Sequence, residues 1–281
     1  MNVINKTSMK STHCGNMEFR WGERTYVMGI LNVSPDSFSG DGISNVDTAL
    51  VRAQQLVTEG ADIIDVGGES TRPNSNPIST AEEISRVLPI IKRLADNLPV
   101  PLSIDTYKSK VAQEAVRAGA RMINDIWGLK HDPKLAQIAA EENVPLIIMQ
   151  NQRNTSFRDF FPDLIASLRR SIQIALDSGV AWDNIIIDPG IGFGKTLEQN
   201  LEIIRRLDEL KSLSRPVLVG SSRKSLIGLV LDLPVDQRLE GTAASIAIAI
   251  ANGADIVRVH DISQMTRVVK MSDAIVRSNP R

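Results

Sequence analysis

The chain has one cysteine, Cys14, in 281 residues. A lone thiol excludes an internal disulfide framework and fits a reducing cytosol. Histidine is scarce as well, with three in all, and no Cys/His spacing of the zinc-binding kind occurs. No apolar run approaches the roughly 20 residues needed to cross a bilayer. The longest candidate, IAIAIA at 246–251, is six residues long. Charge of one sign is also missing, since Lys and Arg total 32 against 33 Asp and Glu. That balance argues against a chain built to coat nucleic acid. The N-terminus has a few basic residues but no apolar segment, so it reads as a mobile lead-in over 1–18 and not as a secretory signal. Within that lead-in, Cys14 has no partner and is no candidate nucleophile. A cytoplasmic protein without nucleic-acid or membrane partners is expected.

Beside these absences stands an ordinary globular composition, 42% hydrophobic and 23% charged. Aliphatic and β-branched runs recur along the whole chain, each followed by helical patterning. The expected strands are 26–31, 61–67, 102–106, 121–126, 145–150, 184–189, 217–220 and 254–260. Between them, helices are expected near 46–59, from Thr80 onward, 108–118, 133–142, 162–178 and 197–211. After the seventh strand the helical part is broken in two, and a closing helix spans about 262–277. Thr80 with Glu83 reads as a capping box, and Asp132 as the cap of the helix that Pro133 opens. The segment FRWGERTY reads as a short hairpin turning at Gly22, which would plug the bottom of a barrel.

Eight strands alternating with helices mean parallel pairing, and near-continuous apolar runs mean burial on both faces. The fold expected is a single α/β domain over 19–281, a (β/α)8 TIM barrel with a short N-terminal hairpin. A doubly wound open sheet is the runner-up. Its glycine fingerprint is missing after the first strand, where NVSPDSFSGDG stands instead.

In a barrel, functional groups gather where the strands end. Here the strand ends read Asn32, Asp65, Asp105, Asn124 with Asp125, Met149 with Gln150, Asp188, Ser221 with Ser222, and Arg258 with His260. Each alone is explained by a solvent-facing turn. Eight together at one mouth point to a site. Three loops add to it. DPGIGFGKT at 188–196 fails as a phosphate loop, because Pro189 stands where the first glycine is required. Its glycines instead allow close backbone approach to a flat ligand, with Phe193 against it. GSSRKS at 220–225 and GGESTRP at 67–73 pair hydroxyls with a cation and suit an anion.

These loops together resemble the dihydropteroate synthase family, the folate-pathway enzymes that sulfonamides inhibit. The motifs are MGILNVSPDSFS, DVGGESTRP, SIDT, NDIWG, DPGIGFGK, SSRKS, GTAAS and RVHD, in family order over most of the chain. The resemblance implies a (β/α)8 barrel. It also implies the Mg2+-dependent condensation of 6-hydroxymethyl-7,8-dihydropterin pyrophosphate with p-aminobenzoate.

By the same resemblance, Asp105, Asn124, Asp188 and Lys224 would hold the pterin edge. Met149 and Phe193 would line the pocket, and Arg258 would stack over the ring. Thr71, Arg72, Arg258 and His260 would hold the pyrophosphate, and Asn32 the metal. Phe38, Pro73, Ser222, Lys224 and Ser225 would meet p-aminobenzoate, and Asp36 and Phe38 belong to a loop that closes over the substrates. The catalytic set is then Asp36, Arg72, Lys224, Arg258 and His260, and a homodimer is expected. The sequence departs from the family pattern at FSGDG, at Asn74 and at Gln150 after Met149. Two alternatives stand: a pterin-binding methyltransferase domain of the corrinoid type, and a non-catalytic pterin-binding paralogue. The context of Arg72, Lys224 and His260 favours the synthase.

Overall fold

A computed structural model describes residues 11–33, 45–69, 76–152 and 157–277, and the strand–helix alternation in it becomes a ring of parallel strands wrapped by helices. A two-stranded antiparallel hairpin comes first, β1 (Ser11–Cys14) and β2 (Met17–Arg20). The ring follows as β3 (Tyr26–Asn32), β4 (Ile63–Gly67), β5 (Leu102–Asp105), β6 (Met122–Asp125), β7 (Leu146–Met149), β8 (Ile185–Asp188), β9 (Leu218–Val219) and β10 (Ile256–Val259). Neighbours run β8-β7-β6-β5-β4-β3-β10-β9, and a parallel bridge from Ile187 to Val217 joins the two ends. The Ile187 N–H donates to the Pro216 carbonyl at 3.0 Å across that joint. The sheet is therefore a closed eight-stranded barrel, which excludes the doubly wound alternative with its two free edges.

The helices are α1 (Val46–Thr58), α2 (Thr80–Ala95), α3 (Ser109–Arg117), α4 (Lys134–Glu141), α5 (Phe160–Asp177), α6 (Leu197–Arg205), α7 (Ser225–Leu231), α8 (Leu239–Ala251) and α9 (Ile262–Val276). Their apolar faces cover the outward strand residues, such as Ile64, Ile104, Ile123, Ile148, Ile187 and Val257, in one continuous core. The inward residues form a second, separate cluster of Met28, Ile63, Met122, Ile147, Ile186, Leu218 and Ile256. That division is the period-2 alternation of a strand buried on both faces.

Local chemistry shifts several expected boundaries. The hairpin lies earlier than FRWGERTY, with its turn at Gly15 (φ 61°), while Gly22 (φ 88°) leads into β3. It does plug the barrel floor: Cys14 and Phe19 join the inward cluster, with Trp21 packed against it. Residues 11–18, expected in the mobile lead-in, are thus built into the fold. Ser79, not Thr80, caps α2, its hydroxyl accepting from the Glu82 N–H at 3.2 Å. Glu83 is no capping partner, because its carboxylate is buried and bonded to Lys108 at 2.6 Å. Asp132 accepts from the Lys134 N–H at 3.2 Å, although Pro133 precedes the first helical residue. The helix expected over 197–211 stops at Arg205 and continues as a 3-10 turn, Leu207–Leu213. Buried Leu207, Leu210 and Leu213 are spaced three apart, the period that a 3-10 turn puts on one face.

Candidate active site

The alternation that fills the floor also builds the mouth. Two residues beyond Ile63 is Asp65, beyond Met122 is Asn124, beyond Ile147 is Met149, beyond Ile186 is Asp188 and beyond Ile256 is Arg258. Each shares its strand's inward face with the apolar residue below it. Asp105 enters the same level by register, paired with Asn124 on β6 and with Gly67 on β4. Gly67 lies beside both side chains: a Cβ on it would be in ordinary contact with Asp105 Oδ2 at 3.8 Å and Asn32 Oδ1 at 3.9 Å. Asn32, the last residue of β3, is half-buried beside it.

Arg258 organises the centre. Its Nε donates to Asp65 Oδ2 at 2.6 Å and its Nη2 to Asp105 Oδ2 at 2.7 Å. Asn124 Nδ2 donates to the same Asp65 oxygen at 3.0 Å. Asp65 is fully buried, so this is an ion triple under a low-dielectric roof. Burial pushes the Asp105 carboxyl above the usual carboxylate range, and Arg258 draws it back. Burial also works against the Arg258 charge, but Asp65 and Asp105 outweigh it and hold the guanidinium more firmly protonated. Asp105 Oδ1 is buried with no partner among the described residues. A buried acceptor without a donor costs stability, which marks it as a place for a ligand's N–H.

Opposite this centre lies the glycine-rich loop. Asp188 Oδ1 accepts from the Gly190 N–H at 2.7 Å. Burial raises the Asp188 carboxyl, while Lys224 and that N–H oppose the rise. Lys224 Nζ donates to the Ile191 carbonyl and lies 4.4 Å from the Phe193 ring centroid. Burial pulls Lys224 down to about 8, with Asp188 working the other way. Beside it, Ser222 Oγ accepts from the His260 N–H at 3.2 Å and lies 3.0 Å from His260 Nδ1. The hydroxyl accepts that amide and shares one hydrogen with Nδ1, given by either atom according to the ring tautomer.

Of the expected residues, Asn32, Asp105, Asn124, Met149, Asp188, Phe193, Ser222, Lys224, Arg258 and His260 gather at one mouth, at strand ends or in the loops directly after them. Ser225 is the exposed first residue of α7. Asp36, Phe38, Thr71, Arg72 and Pro73 lie outside the described residues, as do Asn74 and FSGDG. Asp125, adjacent to Asn124, points out of phase. Its carboxylate accepts the Trp127 and Leu129 N–H groups at 2.8 and 2.6 Å and shapes the following turn. Asp65 is a strand end to which the family resemblance gives no role. Its position two residues past Ile63 is the signal that joins it to the site. Lys108 is another residue without a sequence signal. Its ammonium bonds Glu69 and Glu83, both at 2.6 Å, and anchors the start of the second loop to α2.

Comparison with known proteins agrees with this geometry. The family model described as pterin binding enzyme matches residues 28–260. The chain belongs to the pterin-binding enzyme family. More particularly, it is 53% identical over 265 residues to a dihydropteroate synthase of Clostridium beijerinckii, covering 94% of this chain and 98% of that one. It is 50% identical to the dihydropteroate synthase of Bacillus subtilis, covering 98% of this chain and 96% of that one. Among solved structures, a dihydropteroate synthase from Clostridium difficile, crystallised in the presence of pteroic acid, superposes with a TM-score of 0.89. That pair shares 48% identity and covers 92% of this chain and 99% of the other.

Proposed function

We infer that the chain is a transferase of the dihydropteroate synthase type. It joins 6-hydroxymethyl-7,8-dihydropterin pyrophosphate to p-aminobenzoate and releases pyrophosphate. The observation that carries this reading is the ring of Asp105, Asn124, Asp188 and Lys224 at one mouth, with Asp105 Oδ1 lacking a partner among the described residues. A pterin presents adjacent N–H donors and ring acceptors on one edge, so it needs carboxylates next to a cation. Asp188 accepts from the donor edge, Asp105 and Asn124 extend the contact, and Lys224 donates to a ring acceptor. Met149 and Phe193 line the flat faces, and Arg258 covers the ring.

The reaction breaks the bond between the pterin methylene carbon and the diphosphate oxygen, and its electron pair leaves with the diphosphate. The amine nitrogen of p-aminobenzoate forms the new bond and gives up one proton. Neutralising the departing charge is the main catalytic term. Arg258 has N–H donors beyond those that Asp65 and Asp105 hold, and with Thr71, Arg72 and His260 it meets the diphosphate. Ser222, Pro73, Phe38 and Ser225 are proposed to receive p-aminobenzoate, and Asp36 is proposed as one of the catalytic set. Excluding water protects a carbon that becomes cationic as the diphosphate leaves.

Mg2+ fits as a companion of the diphosphate. Among the described residues no group of three or more His, Cys, Asp or Glu could hold a metal. Asn32 offers one hard carboxamide oxygen beside Gly67 and would hold Mg2+ together with phosphate oxygens and water. When bound, it would neutralise diphosphate charge.

No helix among the described residues is long and apolar enough to cross a membrane. The proposed location is the cytoplasm, and the proposed assembly a homodimer. Exposed Leu229, Val230, Ile248, Met271 and Ile275 lie on α7, α8 and α9, which pack side by side, and are apolar side chains that a second copy would cover. Sedimentation at micromolar concentration tests the assembly, and a monomer there would discard it.

The deciding experiment mixes the protein with the dihydropterin pyrophosphate, p-aminobenzoate and Mg2+, then looks for dihydropteroate by mass. Product that vanishes on chelation supports the reading. Tight pterin binding without product would move it to the methyltransferase-like or non-catalytic alternative. Competition by a sulfonamide against p-aminobenzoate checks the second substrate. Arg72→Ala should keep pterin affinity and lose affinity for pyrophosphate.

A further inference from the structure

The glycine-rich loop is held by two lysines, and only one of them has a role in the reading above. Three carbonyl oxygens converge on Lys195 Nζ, from Gln150 at 3.2 Å, Gly190 at 2.9 Å and Phe193 at 3.0 Å. Its hydrogen bonds all go to backbone carbonyls, and the Asp188 charge acts on it without a direct bond among the described residues. Carbonyl dipoles aimed at one point repel one another unless donors stand between them, and a protonated Lys195 brings three N–H groups, while burial pulls it down to about 7 with Asp188 working the other way. The backbone has been brought close for this contact. A Cβ on Gly190 would lie 1.9 Å from the Gln150 carbonyl oxygen, and one on Gly194 would lie 2.1 Å from that of Gln152. Both glycines also have positive φ, 72° and 57°, so no other residue fits without moving the chain.

The same short segment carries three site contacts through other atoms. The Gly190 N–H holds Asp188, the Ile191 carbonyl holds Lys224, and the Phe193 ring lies against the Lys224 ammonium. Asn200 on α6 adds further ties, accepting from the Gly192 N–H at 2.6 Å and donating to the Thr196 and Lys195 carbonyls at 2.7 and 3.4 Å. Release of Gly190 and Phe193 from Lys195 would therefore disturb Asp188, Lys224 and Phe193 together. Those three belong to the pterin side of the site and not to the p-aminobenzoate side, apart from the shared Lys224.

We propose that Lys195 is a positioning residue for pterin recognition, setting the shape of the 188–196 loop through the carbonyls of Gln150, Gly190 and Phe193. This rests on the assignment of the pocket to a pterin. The test uses the full-length protein, with the affinity for dihydropterin pyrophosphate and Mg2+ by calorimetry and KM for each substrate. Lys195→Met is expected to weaken pterin binding about tenfold or more, the scale of lost charge-assisted hydrogen bonds. KM for p-aminobenzoate should change by less than about twofold, as its contacts lie mostly elsewhere. Lys195→Arg, which keeps charge and donors, should recover most of the pterin affinity.

A folded Lys195→Met with wild-type pterin affinity would overturn the proposal. So would an equal rise in both KM values that tracks a lower melting temperature, because that is a general structural effect. Should Lys195→Met fail to fold, Lys195→Gln carries the test, with two N–H donors and no charge. The same split is expected, and wild-type pterin affinity would again overturn the proposal. Asp188→Ala is the reference: wild-type pterin affinity there would overturn the pocket assignment itself, whereas loss there with none in the Lys195 variants sinks only the role of Lys195.

Discussion

The floor and the mouth of the barrel are made by the same strands, two residues apart. At the floor, Met28, Ile63, Met122, Ile147, Ile186 and Ile256 close around Phe19 and Cys14 from the hairpin. At the mouth, the same faces present Asp65, Asn124, Asp188 and Arg258, joined by Asp105 and Lys224. The floor gains stability from every atom removed from water. The mouth buries charge, which costs stability unless the partners are in place. One part of each strand works for the fold and the next part for the ligand. The two parts should therefore fail differently when altered.

The largest effect is expected at the mouth. Asp188→Ala should weaken pterin binding about a hundredfold or more while the protein stays folded, because a buried charge contact to the ligand is lost. Wild-type affinity measured by calorimetry would erase the distinction between the two layers. Arg258→Met should hurt both properties. It strands the carboxylates of Asp65 and Asp105, and losing one partner of a buried ion group costs about 3–5 kcal/mol. Denaturant unfolding should show that loss, and activity should fall with it. A stable variant would mean that the two carboxylates take up protons or water instead.

Phe19→Ala is the counterpart at the floor. Phe19 is fully buried against Trp21 and Tyr26, and its truncation should cost about 3–5 kcal/mol. Activity per folded molecule should hold, since the mouth lies a layer away. A drop in kcat at a temperature where the variant is fully folded would join the layers that the structure keeps apart. A smaller effect comes from pH. Lys224, pulled to about 8, is charged below that value and neutral above it. Its contact with the pterin therefore weakens on the alkaline side, and kcat/KM for the pterin should fall up to about tenfold per unit above pH ~8. A profile flat to pH 9.5 would remove the charge of Lys224 from recognition. The mildest test concerns Cys14, whose thiol burial pushes up to about 12. At pH 8 iodoacetamide should label it only after denaturation, and labelling of the native protein would mean that the hairpin leaves the floor open.

Much of this contrast was readable before any coordinates. The strand runs predicted eight units and the barrel, because buried parallel strands need continuous apolar stretches and intervening helices. The polar strand ends predicted the mouth. Less readable were roles that depend on which way a side chain turns. Asp125 and Asn124 are neighbours in sequence, yet one shapes a turn outside the ring and the other enters the site. The helix cap fell on Ser79 and not on Thr80, since Glu83 was drawn away to Lys108. The hairpin moved to Ser11–Arg20 because Gly15 supplied the turn and the floor needed Phe19.

The sequence by itself determined the class of fold, the end of the barrel where chemistry gathers and most residues that gather there. These follow from hydrophobic period and from residue type, which are local. The closure through Ile187 and Val217, the sharing of Arg258 between Asp65 and Asp105, and the convergence of three carbonyls on Lys195 were decided by tertiary structure. Each depends on groups brought together from distant strands or loops, and the energy of a buried charge is set by those neighbours and not by its place in the chain.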